Sequence, residues 1–155
     1  MDLMSFSTKA ENYVNGITPK QIPWWQPEKP FVISPLAQGE YNMNYLIQQD
    51  NTPSWVFRVN VGSQIKRDDQ IVYEFKALQL LQGSGRTPIP LFVDDTKSKI
   101  GFGVLGMHYL PGTMMDYASH AMYAARLFAD IHSYSHKLIE THLINEQRPL
   151  SMTYD

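Results

Sequence analysis

The order of elements predicts an α+β fold: a five-stranded antiparallel sheet with one packed helix, then a connecting segment and a long C-terminal helix. Two observations carry this. Three strand-like segments, 31–37, 43–48 and 54–60, follow one another across short connections before any long helical stripe appears. Two more, 89–94 and 100–110, come after a single helical segment, so the strands run in blocks rather than in alternating βαβ units.

Residues 1–30 form an N-terminal helix and a proline-broken arm. A short helix over Ser7–Asn15 ends at Gly16, and Pro19, Pro23, Pro27 and Pro30 then exclude regular structure. Trp24 and Trp25 pack this arm onto the body or stack on a ligand. A central unit covers 31–110. In 54–60 (SWVFRVN), Trp55, Phe57 and Val59 share one face and Val56, Arg58 and Asn60 the other. Asp50-Asn51-Thr52-Pro53 turns the chain into that strand. Asp68 or Asp69 caps the next helix, whose stripe is Ile71, Phe75, Leu78 and Leu81, and Gly83 and Gly85 stop it. A polar turn over 95–99 joins the last two strands, and Pro111-Gly112 ends the fifth. The third unit, 111–155, holds a helix from about Asp116 to about Leu138 with a stripe of Ala121, Ala124, Phe128, Ile131 and Leu138. The tail 139–155 shows no clear period.

Composition narrows function mainly by exclusion. The 155 residues suit one domain, and 43% hydrophobic types supply a core. A formal net charge of −2 gives no electrostatic case for nucleic acid or an anionic membrane. No stretch reads as a signal peptide or a membrane span, so a cytoplasmic protein is expected. With no cysteine there is no disulfide framework, thiolate zinc site or cysteine nucleophile.

Four features could carry chemistry. Gly39, between the first two strands, could let a ligand approach the backbone or simply serve a turn; Asn42 beside it could bond a phosphate or its own turn. Arg58 is a cation on a central strand and needs an acidic partner, for which Glu74 on the following helix is the natural choice; such a pair could hold a phosphate-binding charge, but a structural salt bridge or an exposed edge-strand arginine is the plainer reading. MHYLPG (107–112) ends an apolar strand and could present backbone groups to a planar ligand, or be an ordinary strand end. His132 and His136 stand four apart with Glu140 four further on and His142 nearby, a spacing that permits a metal clamp but lacks the HExxH glutamate. The plainer reading, a packed His132 and a solvated His136, is preferred. No GxSxG elbow is present, and Met114-Met115 read as core filler.

Taken in order, these features resemble the aminoglycoside phosphotransferase/choline kinase-like family. QGEYNMNYL, FRVN, DQIVYEFKALQLL, SGRTPIPLFVDD and GVLGMHYLPG look like its N-terminal lobe up to the hinge, and AMYAARLFADIH (121–132) is similar to the helix opening its C-lobe. The resemblance spans about residues 34–132 and implies a kinase-like N-lobe, a hinge and ATP as cofactor. Gly39, Glu40, Tyr41 and Asn42 would then cover the ATP phosphates, Arg58 would contact them, and Glu74 would orient Arg58. Val56 would roof the adenine, Met107 would line its pocket, and the backbone of His108 and Leu110 would bond its edge.

The departures matter as much. The loop holds one glycine, and arginine replaces the usual lysine, exchanging a point charge for a planar fork. No histidine is followed two residues later by aspartate, so the family's catalytic base and its Mg²⁺ ligands have no counterpart in these residues; Mg²⁺ is expected only in a complete enzyme. The sequence therefore leads to the nucleotide-binding part of an ATP-dependent small-molecule phosphotransferase with a truncated C-lobe, inactive alone, its acceptor undetermined. The alternative is a non-catalytic binding or assembly module, homodimeric through exposed apolar surface.

Overall fold

The computed structural model describes residues 3–63 and 65–135. Its elements are α1 (Leu3–Asn15), β1 (Val32–Gln38), β2 (Asn42–Gln48), β3 (Trp55–Asn60), α2 (Gln70–Leu81), β4 (Pro90–Asp94), β5 (Gly103–His108) and α3 (Tyr117–Ser135). The five strands form one antiparallel sheet in the order β1-β2-β3-β5-β4. The expected α+β architecture is met. The far end of the predicted last helix, with Leu138, and the tail 139–155 lie outside the described residues.

β3 sits at the centre of the sheet and is covered on both sides. Register places Met43, Tyr45 and Ile47 of β2 opposite Val59, Phe57 and Trp55, and all six side chains are buried. They form the larger core together with Phe6, Ala10, Tyr13 and Val14 of α1 and Ile17, Ile22 and Trp25 of the arm. The spacing of Phe6, Ala10, Tyr13 and Val14 puts them on one helical face, which explains why α1 lies flat on the sheet. Residues 1–30 thus contribute to the same core as the strands. Trp25 meets the Trp55 ring edge-on at 5.8 Å. Gln49, buried, holds the arm: its Nε2 donates to the carbonyls of Gln26 (2.9 Å) and Lys29 (3.1 Å), and its Oε1 accepts from the Gln26 amide.

The opposite face carries a smaller core of Val56, Ile71, Leu105 and Met107, onto which Val72, Phe75 and Leu78 of α2 pack. Gly106 on β5 is where shape is tightest. A Cβ there would run into the Phe92 ring of β4, so glycine is what lets that ring lie across β5 against Trp55.

Local departures from expectation have local causes. β5 begins at Gly103 rather than 100, because Gly101 adopts a left-handed φ of 83° and turns the chain first. Asp69 stands at the N-cap of α2 but makes no side-chain cap bond; its carboxylate is taken by both forks of Arg67, at 2.8 Å each. Gly85, at φ 65°, closes the short 3₁₀ turn (82–84) that follows α2. Met114 and Met115 are not core filler: Met114 is 94% exposed and Met115 40%. They sit on the irregular segment between β5 and α3.

Asp94, at the end of β4, ties α1 to the sheet by accepting from the Tyr13 hydroxyl at 2.6 Å. Partial burial pushes its pKa up, but hydrogen bonds from Tyr13 and from the Thr96 hydroxyl and amide more than offset this and hold it below the ordinary carboxylate value. A carboxylate depressed in the folded state stabilises above its unfolded pKa, and that stability is lost as pH falls through the folded value. Acid titration should therefore loosen α1 as pH falls through and below the ordinary carboxylate range, and Asp94→Asn should flatten that part of the stability curve. Urea unfolding as a function of pH measures it.

Candidate functional site

The sheet face turned toward α2 carries the polar residues expected of the site. Along β3 the order from the β5 end toward the β1–β2 hairpin is Val56, Arg58, Asn60, and alternation puts all three on this face. Arg58 points at α2, where its Nη1 donates to Glu74 Oε2 at 2.8 Å. The predicted ion pair is formed. Glu74 Oε1 accepts from Gln70 Nε2, one turn earlier on α2, at 3.1 Å. The Arg58 and Glu74 side chains keep 27% and 22% exposure, so water screens the pair. Its net contribution is accordingly about 1 kcal/mol, not the 3–5 lost on breaking a fully buried pair.

Arg58 has another partner that the sequence reading missed. Its Nε donates to Asn44 Oδ1 at 2.9 Å, and Asn44 Nδ2 donates to the Ala37 carbonyl of β1 at 3.3 Å. The available signal was register: once the turn over 50–53 folds β3 back on β2, with Ile47 opposite Trp55, Asn44 falls directly opposite Arg58. Two guanidinium nitrogens are thereby held, and Nη2 meets no acceptor among the described residues.

The hairpin is closed by the Gly39 amide donating to the Asn42 carbonyl at 2.9 Å. Gly39 lies outside the left-handed region, and a Cβ built on it would touch nothing within 4 Å. Neither turn geometry nor packing requires glycine there. Glu40 is exposed, and Tyr41 covers Gly62 while its carbonyl accepts from the Val61 amide at 2.8 Å. The Asn42 side chain bonds across the strands: its Oδ1 accepts from Asn60 Nδ2 at 3.1 Å.

At the other end of β3 the predicted hinge leaves β5. The His108 amide donates to the Ile89 carbonyl (2.9 Å) and the Tyr109 amide to the Ser54 carbonyl (3.2 Å). Of the expected edge-binding groups, the His108 amide is therefore occupied, whereas Leu110 is exposed. The His108 ring lies 4.8 Å from Trp24 of the arm, and burial lowers its pKa, favouring the neutral imidazole. Val56 is only 5% exposed, inside the core shared with Met107. A cleft of about 270 Å³ opens alongside, lined by Arg58, Tyr73, Glu74, Leu78, Leu81 and Met107 among others. His136, Glu140 and His142 lie outside the described residues, and within those no three histidine, aspartate or glutamate side chains gather to hold a metal.

The structure thus brings Arg58, Glu74 and Met107 together at one cleft. It places the Gly39 hairpin at one end of β3 and the hinge at the other. The model of the phosphotransferase enzyme family (APH) matches residues 32–149, from the first residue of β1 to beyond α3. The chain belongs to this family. Among solved structures, a candidate aminoglycoside phosphotransferase from Ralstonia eutropha JMP134 matches with a TM-score of 0.51 at 14% identity, over 71% of this chain. That likeness shows the kinase-like fold. The chain spans 29% of the length of that structure. No curated protein matches it.

Proposed function

We propose that these residues form the nucleotide-covering part of an ATP-dependent small-molecule phosphotransferase. The observation that carries the reading is Arg58: a cation fixed on β3 by Glu74 and Asn44, with Nη2 left facing no protein acceptor among the described residues. An anion is what such a group is suited to meet. Gly39 supports the same reading, because its missing side chain serves no turn or packing need and leaves room for phosphate oxygens. Val56 and Met107 lie toward the base end, with the His108 carbonyl and the Leu110 backbone as the groups for an adenine edge. Bound ATP would supply the transferable phosphoryl group. The 155 residues hold no His-x-Asp segment, so on this reading they bind nucleotide without carrying out transfer by themselves.

Thermal unfolding with ADP and Mg²⁺ tests this. At a ligand concentration one hundred times Kd, binding stabilises by about 2.7 kcal/mol and should raise Tm by several degrees. Gly39→Ala should leave the ligand-free Tm unchanged or slightly higher, since alanine fits there, yet shrink the ADP-induced rise. Arg58→Ala should abolish that rise. No rise in the wild-type chain, or one indifferent to Arg58→Ala, contradicts the reading; sustained phosphorylation that disappears with Glu74→Ala contradicts its non-catalytic part.

One observation favours a second, assembly role. On α3, Met122, Tyr123 and Phe128 are 65%, 68% and 58% exposed, large apolar side chains that packing leaves mostly open to water. A 19-residue helix in water is marginal without such packing, and a second copy of the chain would provide it. Light scattering across the micromolar range should show a dimer, dissociated by Phe128→Glu; a monomer throughout removes this reading.

A further inference from the structure

Asn44 touches both parts of the site at once. Its Oδ1 takes the Nε–H of Arg58, and its Nδ2 reaches the carbonyl of Ala37, two residues before Gly39. The Ala37 carbonyl stands where the β1–β2 ladder is interrupted: register passes from Pro35↔Tyr45 to Ala37↔Asn44, leaving Leu36 as the extra residue of a bulge. The amide orientation follows from the partners. Turned over, Asn44 would set its NH₂ against the Nε–H and its oxygen against the carbonyl, losing both bonds.

We propose that Asn44 is a positioning residue that couples the glycine hairpin to Arg58 and makes arginine, rather than lysine, the working cation at position 58. The proposal rests on the nucleotide reading above. The physical reason is the shape of the guanidinium. One contact to its end, from Glu74 to Nη1, leaves the plane free to swing about the side chain; a second, from Asn44 to Nε, fixes the plane and aims Nη2. Lysine has a methylene where arginine has its Nε–H, and its single nitrogen has no plane for Asn44 and Glu74 to fix between them. Because the same amide is anchored to the strand that leads into Gly39, displacement of the hairpin is transmitted to the cation, and the reverse. Asn44 itself contacts no phosphate in this scheme.

Calorimetric titration of the whole 155-residue chain with ADP–Mg²⁺ and, separately, with adenosine tests it. Losing one hydrogen bond to a charged group predicts that Asn44→Ala weakens ADP about tenfold or more, while adenosine, which lacks phosphate, changes less than about twofold. Asn44→Asp keeps an acceptor for the Nε–H and should recover part of the ADP affinity. In the Arg58→Lys background, Asn44→Ala should cost ADP less than about twofold, because the bond it removes no longer exists. Equal weakening of ADP and adenosine, or the same loss in the lysine background, overturns the proposal, and so does ADP binding indifferent to Asn44→Ala. Wild-type protein that binds no ADP removes the nucleotide reading and this inference together, a result distinct from those three.

Discussion

A cation on a strand buried from both sides is the constraint around which this molecule is arranged. β3 presents Trp55, Phe57 and Val59 to one core and Val56 to the other, so Arg58 is only partly open to water, at 27% exposure. Its partial desolvation is offset by geometry: α2 lies where Glu74 reaches Nη1, and β2 is in the register that puts Asn44 beside Nε. Gln70, buried at the start of α2, steadies the second oxygen of Glu74. Helix placement, strand register and hairpin closure are therefore linked through one guanidinium.

Why the sheet could be foreseen and some of its surroundings could not follows from the range of each signal. Alternation along SWVFRVN depends on neighbours two residues apart, and the faces it assigned to β3 are those observed. A lone cation among apolar residues, followed by an acid on an amphipathic helix, identified Arg58 and Glu74 because burying either unpaired is costly. Asn44 was hidden because its role depends on the register between β2 and β3, which follows from where the turn over 50–53 closes. α1 was underestimated at its start: Phe6 begins the stripe one residue before the expected helix. The strand expected from 100 was shortened by Gly101, whose left-handed backbone is decided by the turn after Lys97 rather than by hydrophobic pattern. Met114 and Met115 were misplaced because composition reports that a side chain is apolar, not whether anything packs on it.

Family membership and geometry point the same way but do different work. The family match covers the whole sheet and α2; the structure adds that the cation on β3 is an arginine held at two points. The proline-broken arm gains a place as well. Latched by Gln49 and touching His108 through Trp24, it buttresses the segment where the hinge leaves the sheet. The half of the molecule facing α1 is consolidated by packing. The half facing α2 holds the polar groups and the cleft.

The most direct test of the account is a residue-resolved amide map of the 155-residue chain titrated with ADP and Mg²⁺. The account predicts perturbations running in one line across the α2-facing side of the sheet: Gly39 to Asn42 of the hairpin, Arg58 and Val56 of β3, then Leu110 at the hinge. Perturbations gathered on the α1 side, or confined to α3, or none at saturating nucleotide, would contradict it.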